Sequence, residues 1–183
     1  MRLRLPLEFS VGILAALTLL FTLSPLNFPI FGIFVFWGAA FLLGSPNLEG
    51  VKKIVPPTIL GTIFGIGTFQ LFTWAAPIAG GNVLLGTLVN MVILFVVVTV
   101  LVYCARIAIF STIAAAFCAF AVFVATAAGG YGLAPHNLLN FWLAATLMCC
   151  LGPFFAWASV ALTRPATAPA IEKKIEEEGV SHN

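Results

Sequence analysis

The sequence predicts an all-α integral membrane protein with six transmembrane helices and both ends in the cytoplasm. Composition, the length of the apolar runs and the distribution of Lys and Arg predict this fold. Of the 183 residues, 62% are hydrophobic and 8% are charged, and mean hydropathy is +1.14. Soluble domains are about 45–50% apolar and about 25% charged. A soluble fold of this size could not cover so much apolar surface with so few charges.

The apolar runs are long and do not alternate with polar residues, which favours helices over the strands of a membrane barrel. A spanning helix needs about 20 mostly apolar residues. Six segments qualify, and residues 1–163 therefore form one transmembrane domain, followed by a charged cytoplasmic tail over 164–183. The predicted spans are 8–24, 28–44, 55–77, 83–104, 107–128 and 138–163.

Turn-forming and helix-breaking residues separate these spans. Residues 24–27 form a turn signal after the first span, and the polar stretch 45–53 divides the second from the third. We expect Pro56 and Pro57 in the first turn of the third helix, where missing amide donors cost least. Arg106 marks the break in the long apolar run that contains the fourth and fifth spans. No single helix of that length fits a bilayer about 30 Å thick.

The distribution of Lys and Arg tests both the number of spans and their direction, because these residues gather in short cytoplasmic loops. With the N-terminus inside, the three outer loops contain none of the eight basic residues. An incorrect number of helices would destroy this pattern. The inner segments contain Arg2, Arg4, Lys52, Lys53, Arg106, Arg164, Lys173 and Lys174.

Six helices divide into two halves of three helices each. Because a half with an odd number of spans ends on the opposite side of the membrane, the second half would be inverted relative to the first. Inverted halves are common among transporters. The third helix of each half follows a loop with Pro and Asn, at 44–47 and 133–137, although the alignment needs a two-residue shift. Each helix then contains helix breakers, Gly61, Gly65 and Gly67 in the first half and Gly152-Pro153 in the second. Such matching interruptions are the best sequence indication of a transport site.

Polar or helix-breaking residues inside the spans are the candidate binding residues. Pro153 removes a backbone donor and frees a carbonyl near residue 149, which must find another partner in lipid. Gln70 and Asn90 carry amides that need several partners each, either on another helix or in a polar passage. Asn140 caps the sixth helix or faces an outer vestibule. The candidate substrate-binding set is Gln70, Asn90, Gly65, Gly152, Pro153 and Asn140.

Small residues form faces that allow close contact between helices. One face contains Gly61 and Gly65, and the fifth helix is rich in alanine. These faces have three possible roles, which are packing within the chain, packing between subunits and lining of a substrate path. The expected partners are the lipid bilayer and, through these faces, further copies of the chain or other membrane subunits. Nothing indicates nucleic-acid binding.

The sequence contains no catalytic or metal-binding constellation, so we expect no enzyme activity, no metal and no cofactor. There is no Asp, and no span has a carboxylate away from its end. Because ion-coupled transporters usually carry an ionisable group in the membrane, the favoured function is a passive channel or facilitator. Its solute would be small and neutral or weakly charged. The alternative is a non-catalytic accessory or structural subunit of a larger membrane complex.

The run 36–41, followed by Pro46, Gly50, Lys52 and a Gly-rich third helix, resembles a bacterial inner-membrane family of unknown function that includes YcdZ. The second half is similar in its Ala-rich helix, Gly-rich outer loop and proline, and the resemblance spans residues 10–163. It implies a small multi-pass protein of the bacterial inner (plasma) membrane and supplies no activity. The chain differs from the family pattern in Gly152-Pro153 and in its longer acidic tail.

Overall fold

The computed structural model describes residues 6–23, 25–44 and 46–163, which form six α-helices and no β-strand. The predicted all-helical class is confirmed. Short 3-10 segments extend the first helix over Leu19–Thr22 and the third over Ala76–Ala79, and another lies at Ala108–Phe110. The helices are α1 (Leu7–Thr18), α2 (Phe31–Leu42), α3 (Leu48–Ala75), α4 (Val83–Cys104), α5 (Ile113–Gly129) and α6 (Leu138–Ala161).

Three helices, α3, α4 and α6, are long and apolar enough to cross a membrane. The other three are shorter apolar helices, and α1 becomes longer only with its 3-10 extension to Thr22. The observed α4 has the predicted bounds. Helix α5 begins at Ile113 instead of residue 107, because the segment Ala108–Phe110 intervenes. The charged tail over 164–183 lies outside the described residues.

Asparagine side chains define the starts of the three long helices. Asn47 Oδ1 accepts the Gly50 N–H at 2.8 Å, and Asn82 and Asn137 cap α4 and α6 in the same way. Each cap satisfies one of the four backbone donors that a helix start leaves free. The sequence therefore specifies these starts locally.

The prediction for the start of α3 was wrong, because the Asn47 cap begins the helix at Leu48 and not at residue 55. Pro56 and Pro57 lie inside the helix, where a proline removes the hydrogen bond to the carbonyl four residues earlier. The carbonyl that Pro57 leaves free belongs to Lys53, and the Thr112 hydroxyl donates to it at 3.4 Å. The start of α5 thereby compensates part of the interruption in α3.

The core lies between α2, α3, α5 and α6. Helix α3 packs mainly against α5, and α2 packs mainly against α6. Ile33, Phe36, Phe123 and Met148 are fully buried at these contacts. Helices α1 and α4 are peripheral, since α1 packs on α6 and α4 packs on α3.

Two long-range hydrogen bonds bring helix ends together at one side of the bundle. The Ser10 hydroxyl at the start of α1 donates to the Ser159 carbonyl near the end of α6 at 2.7 Å. The Thr112–Lys53 bond joins the starts of α5 and α3. We call this side the basic end, because it also contains Lys52, Lys53 and the α4–α5 connection with Arg106.

The opposite end contains the α1–α2 and α5–α6 connections. There the Gly132 N–H donates to the Asn27 carbonyl at 2.8 Å. The starts of α1, α3 and α5 lie at the basic end, and the α1–α2 and α5–α6 connections lie at the opposite end. The chain must therefore reverse its direction between one helix and the next. The six helices therefore alternate in direction along the bundle.

Candidate functional site

Gly65 and Gly152 make two close helix contacts that are equivalent in the two halves of the chain. A Cβ at Gly65 of α3 would lie 2.6 Å from the Phe123 ring on α5. A Cβ at Gly152 of α6 would meet the Phe36 Cβ on α2 and lie 2.7 Å from the Ile33 carbonyl oxygen. Adding 87 to Phe36 and Gly65 gives Phe123 and Gly152. The contact between Phe36 and Gly152 is thus repeated at equivalent positions by Phe123 and Gly65.

A second pair of contacts repeats at the same spacing. A Cβ at Gly61 of α3 would lie 2.9 Å from the Ala119 Cβ on α5, and a Cβ at Gly32 of α2 would lie 3.2 Å from the Met148 Cβ on α6. Adding 87 to Gly32 and Gly61 gives Ala119 and Met148. The α2–α6 contact is therefore the counterpart of the α5–α3 contact, with different side-chain sizes.

The remaining large contact joins α3 directly to α6, and it lies between the two halves. The Thr146 hydroxyl of α6 donates to the Thr62 hydroxyl of α3 at 2.9 Å, and Thr62 donates to the Ile59 carbonyl at 3.0 Å. Thr62 is fully buried. Thr62 is not among the residues predicted from the sequence, because a threonine in a helix usually bonds to its own backbone. Its position beside Gly61, on a small-residue face, was the available signal.

The predicted site residues Gly65, Gly152 and Pro153 are all buried at helix contacts. For the face containing Gly61 and Gly65, three roles were open, and the structure shows packing within the chain. The Ala-rich face of α5 is buried on the same contact, with Ala115, Ala116 and Ala119 in the core. The close contacts of these faces shown by the structure are made inside the chain, and their binding to further copies or to other membrane subunits stays a prediction.

Gln70 and Asn90 lie at the edge of the bundle, on α3 and α4. Both are equally far along the chain from Gly80, which turns the chain between these antiparallel helices. Gln70 is half-buried and Asn90 is exposed. Neither side chain forms a hydrogen bond with the described residues. Asn90 lines a cleft of about 270 Å³ with residues such as Ala79 and Gly86.

Asn140 holds the loop before α6 in place. Its Nδ2 donates to the Leu133 carbonyl at 3.2 Å and to the Pro135 carbonyl at 2.7 Å. A cleft of about 390 Å³ opens nearby, lined by residues that include Asn27 and His136. Asn140 does not line it, so its structural role is to close the loop.

The six predicted site residues therefore divide between three regions. Gly65, Gly152 and Pro153 lie in the core, Gln70 and Asn90 lie along α3 and α4, and Asn140 lies at the opposite end. Asn90 lines the cleft beside the α3–α4 turn, and Asn140 does not line the cleft at the opposite end. Within the described ranges, no group of His, Cys, Asp and Glu side chains is placed to hold a metal ion.

The sequence was also compared with known proteins. No curated protein and no solved structure matches the chain. A family model does match, and it covers residues 9–164, which includes all six helices except the first two residues of α1. The chain therefore belongs to the family described as protein of unknown function, DUF1097.

Proposed function

We propose that this protein is a passive facilitator for a small, neutral or weakly charged solute, formed by two inverted three-helix halves. The observation that carries the proposal is the pair of contacts that repeats at a spacing of 87 residues. Phe36 packs on Gly152 as Phe123 packs on Gly65. Inverted repeats of this kind are a common plan of transporters.

Helix direction supports the inversion. Because consecutive helices alternate in direction, a helix and its counterpart three helices later run in opposite directions. The equivalent pairs are α1 with α4, α2 with α5, and α3 with α6. Transport sites in such folds lie near the middle of the membrane, where the two repeats meet. The halves meet where α3 packs on α5, where α2 packs on α6 and where α3 packs on α6. Of these, the α3–α6 contact is the one that joins two equivalent helices, so we place the site there.

The solute path would therefore pass between α3 and α6, beside the hydroxyls of Thr62 and Thr146. These hydroxyls bond to each other at 2.9 Å, so the described arrangement is closed at this point. A neutral solute with hydroxyl or amide groups could replace that bond when the helices separate. The absence of any carboxylate from the described parts of α3 and α6 beyond Glu49 favours passive movement.

The proposed placement in the membrane has six spans and both chain ends in the cytoplasm. Lys52, Lys53 and Arg106 lie at the basic end of the bundle. Because basic loops stay on the cytoplasmic side, that end faces the cytoplasm. The resemblance to a bacterial inner-membrane family makes the bacterial plasma membrane the proposed location.

Liposome swelling tests the proposal. The purified full chain is reconstituted, and shrinkage followed by swelling is recorded after mixing with glycerol or urea as probes. We expect faster solute entry than in protein-free liposomes, and a changed rate for Thr62→Val and Thr146→Val. Thr99→Val is the matched control, because the Thr99 hydroxyl bonds to the Phe95 carbonyl on exposed α4. Entry of both probes at the protein-free rate would contradict passage of such solutes.

An accessory subunit of a larger membrane complex is the second candidate. The observation that favours it is the apolar core, in which Phe36, Phe123 and Met148 fill the space between the halves. Gentle detergent extraction followed by measurement of mass and subunit composition distinguishes the two. Other membrane proteins in fixed ratio to this chain would support the accessory role and count against a self-sufficient facilitator.

A further inference from the structure

The indole of Trp142, in the second turn of α6, carries a hydrogen-bond donor without an acceptor. Its side chain is partly buried and packs against the core. In the described part of the chain, Nε1 is the one buried side-chain nitrogen or oxygen that has no hydrogen-bond partner. An indole offers this single donor, and a buried donor that stays unpaired costs free energy. The Trp142 N–H therefore needs an acceptor that the described residues do not provide.

A role as a membrane anchor does not account for this donor. Tryptophan anchors lie at the boundary between membrane and water, where the indole N–H meets water or lipid headgroups. Trp74, at the end of α3, is 69% exposed and fits that role. Nε1 of Trp142 is enclosed by the protein instead. An acceptor for it has to enter the bundle.

Trp142 lies beside the proposed solute path between α3 and α6. It precedes Thr146 by four residues, so the two residues lie on one face of α6, about one turn apart. Thr146 faces α3, because its hydroxyl donates to the Thr62 hydroxyl. Helix α6 begins at the end of the bundle opposite the basic end. A solute that enters from that end would therefore meet the indole N–H before the two hydroxyls.

The polar groups further along this face of α6 have free acceptor capacity. Thr146 Oγ1 donates to Thr62 and accepts no hydrogen bond from the described residues, although a hydroxyl oxygen has two lone pairs. Pro153, about two turns beyond Thr146, has no N–H to donate to the Cys149 carbonyl. A donor followed by acceptors matches a solute that has both an acceptor oxygen and N–H or O–H groups.

We propose that Trp142 selects solutes with a carbonyl or hydroxyl oxygen, by donating its indole N–H to that oxygen between α3 and α6. This inference rests on the proposed facilitator function and names the class of solute. Small amides and alcohols have such an oxygen together with polar hydrogens for Thr146. An apolar solute of the same size has neither and would leave the indole donor unpaired.

Titration of the full chain in lipid nanodiscs tests binding without any measurement of transport. The indole N–H resonances of isotope-labelled protein are recorded with urea and with thiourea, which has a similar shape but a sulfur that accepts weakly. Trp142→Phe identifies the Trp142 resonance by its loss. We expect this resonance to shift saturably with urea and less with thiourea, while the exposed Trp74 indole shows no saturation. A Trp142 resonance that responds to neither probe, or equally to both, would overturn the inference.

Solute entry into liposomes separates this inference from the proposed function. After subtraction of entry into protein-free liposomes, we expect the wild type to carry urea faster than thiourea. Trp142→Phe should reduce that preference by about 2- to 10-fold, the range for one hydrogen bond, and Trp74→Phe is the matched control that should retain it. An unchanged preference in Trp142→Phe would overturn the inference and leave the facilitator intact. A saturable Trp142 shift without urea entry in the wild type would support the binding site and contradict the facilitator.

Discussion

Glycine has opposite consequences at neighbouring positions of α3. Gly61 faces the backbone of α5, where an added Cβ would meet the Ala116 carbonyl and lie 2.9 Å from the Ala119 Cβ. Gly67, less than two turns away, has open space around its Cα. The small side chain is therefore required at Gly61 by packing and is not required at Gly67.

Substitution by alanine separates these two positions. We expect Gly61→Ala to lower the free energy of unfolding by about 1–3 kcal/mol, since backbone cannot move aside as a flexible side chain can. Gly67→Ala should leave it unchanged or raise it by up to about 1 kcal/mol, because alanine favours a helix. Unfolding of the purified protein in mixed micelles, followed by circular dichroism, measures both. Equal losses at the two positions would mean that Gly61 does not lie at a tight contact.

Some residues of the candidate site, such as Gly65 and Gly152, could be chosen from the sequence, whereas Thr62 and the surroundings of all these residues could not. The sequence predicts two matching interrupted helices that contain Gly65 and Gly152, but it does not single out these two glycines as equivalent positions. Their contacts depend on which face of each helix meets α5 or α2, and a nearly uniform apolar sequence does not indicate a face. Asn90 and Thr62 show the same limit, because a polar residue in a span does not reveal whether another side chain lies opposite.

At the scale of helices, a capping side chain and a proline can predict different starts for the same helix. The bounds of α4 were predicted correctly, because Asn82 caps its start and the apolar run ends near Arg106. For α3, Pro56 and Pro57 predict a start near residue 55, whereas the Asn47 cap begins the helix at Leu48. A capping side chain provides a bond that a proline cannot provide, so the cap determined the helix start.

Substitution of this cap tests its importance. We expect Asn47→Ala to lower the free energy of unfolding by about 1 kcal/mol, because the Gly50 N–H loses its acceptor. Asn47→Asp is the matched control and should retain most of the stability, since its carboxylate also accepts a hydrogen bond at the start of a helix. Thermal unfolding in detergent measures both. A loss in Asn47→Asp as large as in Asn47→Ala would contradict a capping role.

The repeated contacts connect the helices to the whole molecule. Phe36 and Phe123 are both fully buried, and they pack against Gly152 and Gly65 respectively. We expect Phe36→Ala and Phe123→Ala to lower the free energy of unfolding by similar amounts, about 3–5 kcal/mol each. Exposed Phe95 on α4 is the control, and Phe95→Ala should have a much smaller effect. Chemical denaturation of the reconstituted protein measures all three, and a large difference between the first two would argue against equivalent halves.

The distribution of charge predicts the direction of the whole bundle in the membrane. The basic end contains Lys52, Lys53 and Arg106, while the loop over 131–137 at the opposite end has no Lys or Arg. Transfer of a basic loop across the bilayer is unfavourable, so the basic end should remain in the cytoplasm.

Cysteine labelling in intact cells tests this direction. Ala134→Cys lies in the loop opposite the basic end, and Ala105→Cys lies beside Arg106. We expect a membrane-impermeant maleimide to label Ala134→Cys in intact cells, and to label Ala105→Cys only after the cells are opened. The unsubstituted chain reports the background from the four native cysteines, which lie in α4, α5 and α6. The reverse pattern would show that the bundle has the opposite direction in the membrane. Labelling of both positions in intact cells would contradict alternation of the spans. Because the two positions lie at opposite ends of α5, either result also tests whether this 17-residue helix crosses the bilayer with its flanking segments.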